Sequence, residues 1–231
     1  MTKPVIIIMA KQPIIGATKT RLVPPLTFAE AANLYQALLL DTIDLVTSIV
    51  TVDMAVGVTP PTAKPYFQQI TPPQTRLLPV EGRDIGACLH AVTSELFAQG
   101  YQKVLAINSD GPSLPAKYLT RAVELLDSHE VIFGPNDDGG YYLVGLLQPQ
   151  PRLFEEIPWS TDQVFKQSLS RSAELGLQTR ILPSWYDIDT GGDLRHLIDE
   201  LKDARPKQLT HTRAFFSQSS PTRLQEMDTK P

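Results

Sequence analysis

Lys103-Val104-Leu105-Ala106-Ile107-Asn108-Ser109-Asp110-Gly111-Pro112 is the stretch on which the reading of this chain turns. An apolar run of strand length stops abruptly at small polar residues, a carboxylate and a Gly-Pro breaker. That is how a buried parallel strand ends. In open α/β sheets ligands bind beyond the carboxyl ends of the strands, so Asp110 is the first candidate for chemistry. A lone Asp before Gly reads first as an ordinary turn residue bonding its own backbone, so the other stretches must decide.

Outward from that stretch, the pattern alternates strands with helices. Val5-Ile6-Ile7-Ile8-Met9-Ala10 is β-branched without alternation, which predicts a strand covered on both faces. It opens into an irregular loop, Lys11 to Pro25, carrying Gly16, Lys19 and Arg21. Thr27 and Glu30 form a capping-box pattern ahead of a long helix through Leu34, Leu38, Leu39, Ile43 and Val46. Strands are predicted near 54–58 and 75–78, with a short helix between them. Asp84 caps a helix from Ile85 to about Gln99. Downstream come a helix from Ser113 to about Leu126 and a hairpin of Val131 to Pro135 with Tyr141 to Leu147. Ser160 with Gln163 reads as a second capping box, opening a helix that Gly176 ends. A strand over 178–182 and a final helix started by Thr190 and Asp193 complete the pattern, which makes residues 1–204 one domain. Residues 205–231 are polar and rich in Pro, Ser, Thr and Gln, and little fixed structure is expected there.

Composition narrows the function. With 42% hydrophobic and 20% charged residues the chain is ordinary for a globular protein, and a net charge of -4 gives no general attraction to nucleic acid or anionic membranes. Cys88 is the only cysteine, which excludes an internal disulfide and a thiolate metal cluster and fits a cytoplasmic setting. The apolar start is too short for a membrane span. The strand Tyr141 to Leu147 is apolar enough for a homodimer interface, though a buried sheet strand explains it equally.

Three acidic clusters and one basic loop carry the chemistry. Lys19 and Arg21 flank Thr20 after Gly16, in a loop leaving the first strand, where phosphates are usually held. The P-loop pattern fails at both glycines, which here are Pro13 and Thr18, and no G-x-G-x-x-G occurs. Asp137 and Asp138 precede Gly139-Gly140 in the hairpin; glycine there is good turn chemistry, but two adjacent carboxylates repel and no turn requires both. In Tyr186-Asp187-Ile188-Asp189-Thr190 the two aspartates alternate to one side, between a strand and a helix start. One of Asp187 and Asp189 can reach Asp110, and two aspartates with phosphate oxygens and water suit octahedral Mg²⁺ or Mn²⁺.

Ala10-Lys11-Gln12-Pro13 with Gly16, Lys19-Thr20-Arg21-Leu22, Ser109-Asp110, Gly134-Pro135 with Asp138-Gly139-Gly140-Tyr141, Pro158-Trp159-Ser160-Thr161 and Asp187-Ile188-Asp189-Thr190 occur in this order. Together they resemble the GT-A-like transferases of the DUF2064 family, often labelled glycosyltransferases, some in arsenosugar biosynthesis. The resemblance implies an α/β, single-domain, three-layer GT-A-like fold of the nucleotide-diphospho-sugar transferase type, with a Rossmann-like mixed sheet flanked by helices. More distant similarity to nucleotidyltransferases implies Asp110 and Asp189 as metal ligands, with Asp193-Leu194 completing the second motif. Glu81 to Gly86 also resembles a family segment near the nucleotide, which brings in Asp84. Departures from the family pattern are Asn108, Gly111 and Gly191-Gly192.

The expected function is metal-dependent glycosyl transfer from a nucleotide-activated donor to a small acceptor. Asp138, and second Asp137, would orient or deprotonate the acceptor hydroxyl. Lys11, Gly16, Lys19, Arg21, Asp84, Gly139, Gly140, Tyr141, Trp159, Ser160 and Thr161 would contact the substrates. Nucleotidyl transfer with release of pyrophosphate is the alternative, and a non-catalytic nucleotide-binding module the reading of a different class.

Overall fold

The computed structural model describes residues 3–203 and 208–218. The backbone divides into two compact units, one of residues up to 12 with 46–108 and 114–186, the other of 13–45, 109–113 and 187 onward. Each is assembled from segments that alternate along the chain. The expected boundary at 204 lies outside the described residues.

The first unit is built on a seven-stranded mixed sheet in the order β3-β2-β1-β4-β6-β5-β7. Its strands are β1 (Val5–Lys11), β2 (Asp53–Thr59), β3 (Arg76–Pro79), β4 (Val104–Ile107), β5 (Val131–Pro135), β6 (Tyr141–Leu146) and β7 (Thr179–Ile181). β1 lies parallel between β2 and β4, with Ile7 opposite Ala55 on one side and Ala106 on the other. Val5 to Ile8 are wholly buried, as an unalternating β-branched run requires. β6 runs antiparallel to both β4 and β5, and its burial between them accounts for its apolar character. Gly134 in β5 faces the Tyr142 ring so closely that a Cβ would overlap it. The Tyr142 hydroxyl donates to the Pro183 carbonyl at 3.0 Å.

Around this sheet stand α2 (Lys64–Ile70), α3 (Ile85–Ala98), α4 (Ala116–Leu125) and α5 (Val164–Glu174). Leu89, Val92 and Leu96 of α3 join Val104, Ala106, Phe133 and Val144 in the core, which is the apolar stripe expected from their spacing. The box predicted at Ser160 and Gln163 does not form. Gln163 is the residue before α5 and makes no side-chain cap, while Ser160 adopts a positive φ of 65°, a turn conformation incompatible with an extended N-cap.

The second unit contains α1 (Phe28–Thr47, of which 28–45 belong here), α6 (Gly191–Asp203) and α7 (Thr210–Gln218). The Thr27 box forms as predicted: the Thr27 amide donates to Glu30 at 2.7 Å and the Glu30 amide to Thr27 Oγ1 at 3.2 Å. α7 corrects the expectation of little structure beyond 205. Asp41 of α1 accepts from the amides of His211 and Thr212 and from Thr212 Oγ1, at 3.0, 2.8 and 2.6 Å. A distant carboxylate, invisible to local pattern, supplies the cap. No described helix is long and apolar enough to cross a membrane.

Candidate functional site

In the second unit three segments converge. Ser109, two residues after β4, is held by Tyr35 of α1, whose hydroxyl lies 2.8 Å from Ser109 Oγ. Thr42 of the same helix, whose hydroxyl donates to the Leu38 carbonyl at 2.9 Å, also lies 3.4 Å from the Ser109 carbonyl. The next residue is Asp110, and its carbonyl accepts from the Ile188 amide at 3.1 Å, tying the 109–113 segment to the one before α6. There Asp193 accepts from the amides of Asp189 and Thr190, at 3.1 and 2.6 Å, and from Thr190 Oγ1 at 2.8 Å. The predicted cap at Thr190 and Asp193 therefore also fixes the backbone of Asp189.

Lys19 completes the group. Thr18 Oγ1 accepts from the Ile14 amide at 2.9 Å and so folds the preceding residues into a turn. Lys19 itself sits at φ 50°, in the left-handed region, ahead of the short 3₁₀ turn Thr20–Leu22 that buried Leu22 anchors. A lysine there is strained, and such strain persists where the surroundings enforce it. Its ammonium donates to Asp110 Oδ2 at 2.5 Å and to Asp189 Oδ1 at 2.6 Å. The Lys19 side chain is 7% exposed, against 22% for Asp110 and 39% for Asp189. Burial alone would lower the Lys19 pKa. The two carboxylates outweigh that and hold it above the ordinary lysine value, so the group is charged at neutral pH.

The donor set fits a hard divalent cation, since each carboxylate meets Lys19 through one oxygen and retains a second. The place between them is taken by an ammonium. Asp189, rather than Asp187, is the residue that shares Lys19 with Asp110. Gly16 (φ 82°) and Arg21 are exposed on the same loop. Another group of ligand-type side chains, Asp41, Asp44 and His211, has ligand atoms within 4.8 Å of one another. Asp41 is there engaged as the α7 cap, and His211 Nε2 lies 3.2 Å from Asp44 Oδ2.

The remaining predicted residues belong to the first unit. Asp138 forms the hairpin turn, accepting from the Gly140 amide at 2.9 Å through one oxygen. Gly139, at φ 88°, is pressed against the Asp162 carbonyl with no room for a Cβ, and its own carbonyl accepts from Phe165 at 2.8 Å. Both Asp137 and Asp138 are exposed. Trp159 meets Tyr141 edge to face at 6.3 Å and covers Gly86 so closely that any side chain there would overlap the indole. Burial pushes the Tyr141 hydroxyl well above its usual range. Thr161 Oγ1 donates to the Pro158 carbonyl at 2.7 Å. Asp84 caps α3 at the Ala87 amide, 2.8 Å away, and Lys11 ends β1 exposed.

Tyr35 and Thr42 escaped the sequence reading as parts of the site. Both lie in a helix whose periodicity signals only packing, and a buried hydroxyl there has no local signature.

Residues 42–161 match the profile of the DUF2064 family, described as an uncharacterized protein conserved in bacteria. No curated protein matches the sequence. Among solved structures, a protein of Desulfovibrio desulfuricans G20, provisionally described as a nucleotide-diphospho-sugar transferase, shares 26% identity. The match covers 97% of this chain and 98% of that one, with a TM-score of 0.89. A 4-diphosphocytidyl-2C-methyl-D-erythritol synthase matches at 14% identity and TM-score 0.57, over 85% of this chain and 97% of that one. Rv0371c of Mycobacterium tuberculosis H37Rv, in complex with manganese, matches at 16% and 0.52, over 86% and 98%. The last two share the fold.

Proposed function

The chain belongs to the DUF2064 family, and from that premise we propose that it is a metal-dependent transferase moving a glycosyl group from a nucleotide sugar to a small acceptor. One observation carries the reading. Asp110 and Asp189, 91 and 170 residues from Lys19, converge on its ammonium, so that two oxygen donors and a cation meet in one place. A nucleotide diphosphate with its divalent ion is complementary to such a group. The likeness to the Desulfovibrio protein over nearly the whole chain supports the same class.

In this reading Asp110 and Asp189 hold Mg²⁺ or Mn²⁺, which when bound neutralises charge on the diphosphate. Lys19 and Arg21 bind phosphate oxygens and stabilise the charge that grows as the bond from the anomeric carbon to the diphosphate breaks. Contacts of this kind contribute about 3 to 4 kcal/mol each. Asp138 accepts the proton of the acceptor hydroxyl as its oxygen bonds the anomeric carbon, and a nucleoside diphosphate departs. Its carboxylate is exposed, with one oxygen outside the hairpin turn. Lys11, Asp84, Gly139, Gly140, Ser160 and Thr161 are the proposed substrate contacts, with Tyr141 and Trp159 as rigid apolar surface.

The test is calorimetric titration of nucleotide sugars, nucleoside diphosphates and triphosphates, with Mn²⁺ or with chelator. Metal-dependent binding of one nucleotide sugar, lost in Asp110→Ala while the fold persists, is the expected result. Absence of metal-dependent binding across the panel would overturn the reading. Pyrophosphate release from a triphosphate, in place of nucleoside diphosphate, would identify nucleotidyl transfer.

A further inference from the structure

We propose that Lys19 is the resident counter-ion of the Asp110 and Asp189 pair, and that a divalent metal takes the two carboxylates only when phosphate oxygens draw the lysine away. The inference rests on the assignment of these aspartates as the metal site and concerns how that site is loaded. Three observations carry it. The ammonium contacts both carboxylates at 2.5 and 2.6 Å and is the most buried of the three groups. The backbone of Lys19 is held in the left-handed region by the turn at Ile14 to Thr18 and the following 3₁₀ turn, so the side chain is aimed by fixed backbone. The backbones that carry the two carboxylates are tied as well, Asp110 through its carbonyl to the Ile188 amide and Asp189 through its amide to Asp193.

The charge count gives the consequence. Two carboxylates and one ammonium leave a single negative charge. A divalent ion entering beside the ammonium meets a like charge at a few ångströms, which disfavours it. A diphosphate brings its own negative oxygens, so the ammonium can exchange carboxylate partners for phosphate partners without losing its ion pairs. Lysine suits this, being a point charge on a flexible stem. Metal and diphosphate then bind with positive coupling, and each raises the affinity of the other by the same factor.

The experiment measures Mn²⁺ binding by electron paramagnetic resonance of the free ion, with and without inorganic pyrophosphate corrected for its own Mn²⁺ affinity. The proteins are the native chain, Lys19→Met, Lys19→Arg and Asp110→Asn. The native protein and Lys19→Arg should bind Mn²⁺ weakly alone and about tenfold or more tightly with pyrophosphate. Lys19→Met should bind Mn²⁺ alone about tenfold or more tightly than the native protein, and its melting temperature, lowered by the substitution, should rise with Mn²⁺ alone. Asp110→Asn should lose Mn²⁺ binding under both conditions. If Lys19→Met folds and binds Mn²⁺ no better than the native protein, while Asp110→Asn still abolishes binding, the exchange is wrong and the metal site stands. If no variant binds Mn²⁺ in a way that depends on Asp110, the metal site itself falls, and the exchange with it.

Discussion

Lys19 shows how much one backbone conformation decides. Its φ of 50° and its 7% exposed side chain set a cation between two carboxylates, where the sequence pattern alone predicted a phosphate ligand. Tyr35 is the residue that sequence conceals most completely, because its place in the apolar stripe of α1 reads as packing. Its hydroxyl is the partner of Ser109 Oγ, and Ser109 is only 4% exposed. Tyr35→Phe should therefore cost about 1 to 3 kcal/mol in urea unfolding, since it leaves a buried hydroxyl without its partner. Gly139 illustrates the opposite case: the residue type is readable as a turn signal, while the Asp162 carbonyl pressed against it is not. Gly139→Ala meets both a positive φ and a backbone overlap. We expect a loss of at least about 2 kcal/mol in thermal or denaturant unfolding.

Among the elements, caps and strand ends decide local stability. α7 depends on Asp41, a carboxylate 170 residues away in sequence. Asp41→Ala leaves Thr212, whose side chain is wholly buried, without the acceptor of its hydroxyl. The variant should lose about 1.5 to 3 kcal/mol, and limited proteolysis should cut near 208–218 faster than in the native protein. At the start of β2, Asp53 accepts from the Tyr101 hydroxyl at 2.7 Å, and the Arg76 guanidinium of β3 lies 5.0 Å from the Tyr101 ring. Burial first, and then Asp53, push the Tyr101 hydroxyl up to about 12. The neutral phenol is the favoured form in the folded state, so its contribution is fully present below the ordinary tyrosine pKa and disappears as pH rises from there through about 12. Native protein should lose stability over that interval more steeply than Tyr101→Phe. Parallel slopes in pH-dependent urea melts would contradict this.

At the scale of the whole molecule, each compact unit draws on three separated segments of chain. β4 and β6 pair antiparallel although the first precedes and the second follows the 109–113 segment. Fragments divided between 108 and 109 should each fail to form the sheet alone, as judged by circular dichroism and solubility, and mixing them during refolding should restore it. The sequence by itself determined the strand and helix order, the covered β1 and β4, the hairpin, one of the two proposed capping boxes, the helix start at Thr190 and Asp193, and the three acidic clusters. These depend on periodicity and on residues three or four apart, which any local window contains. Tertiary structure alone decided the insertion of β6 between β4 and β5, the capping of α7 by Asp41 and the failure of the Ser160 box, and it set Asp189, which the family resemblance had already named, on the same lysine as Asp110. Only the tertiary structure, too, could show that Lys19 stands between those aspartates. Each of these turns on groups brought together across tens of residues, where burial and charge act through distance in space, and no spacing along the chain records it.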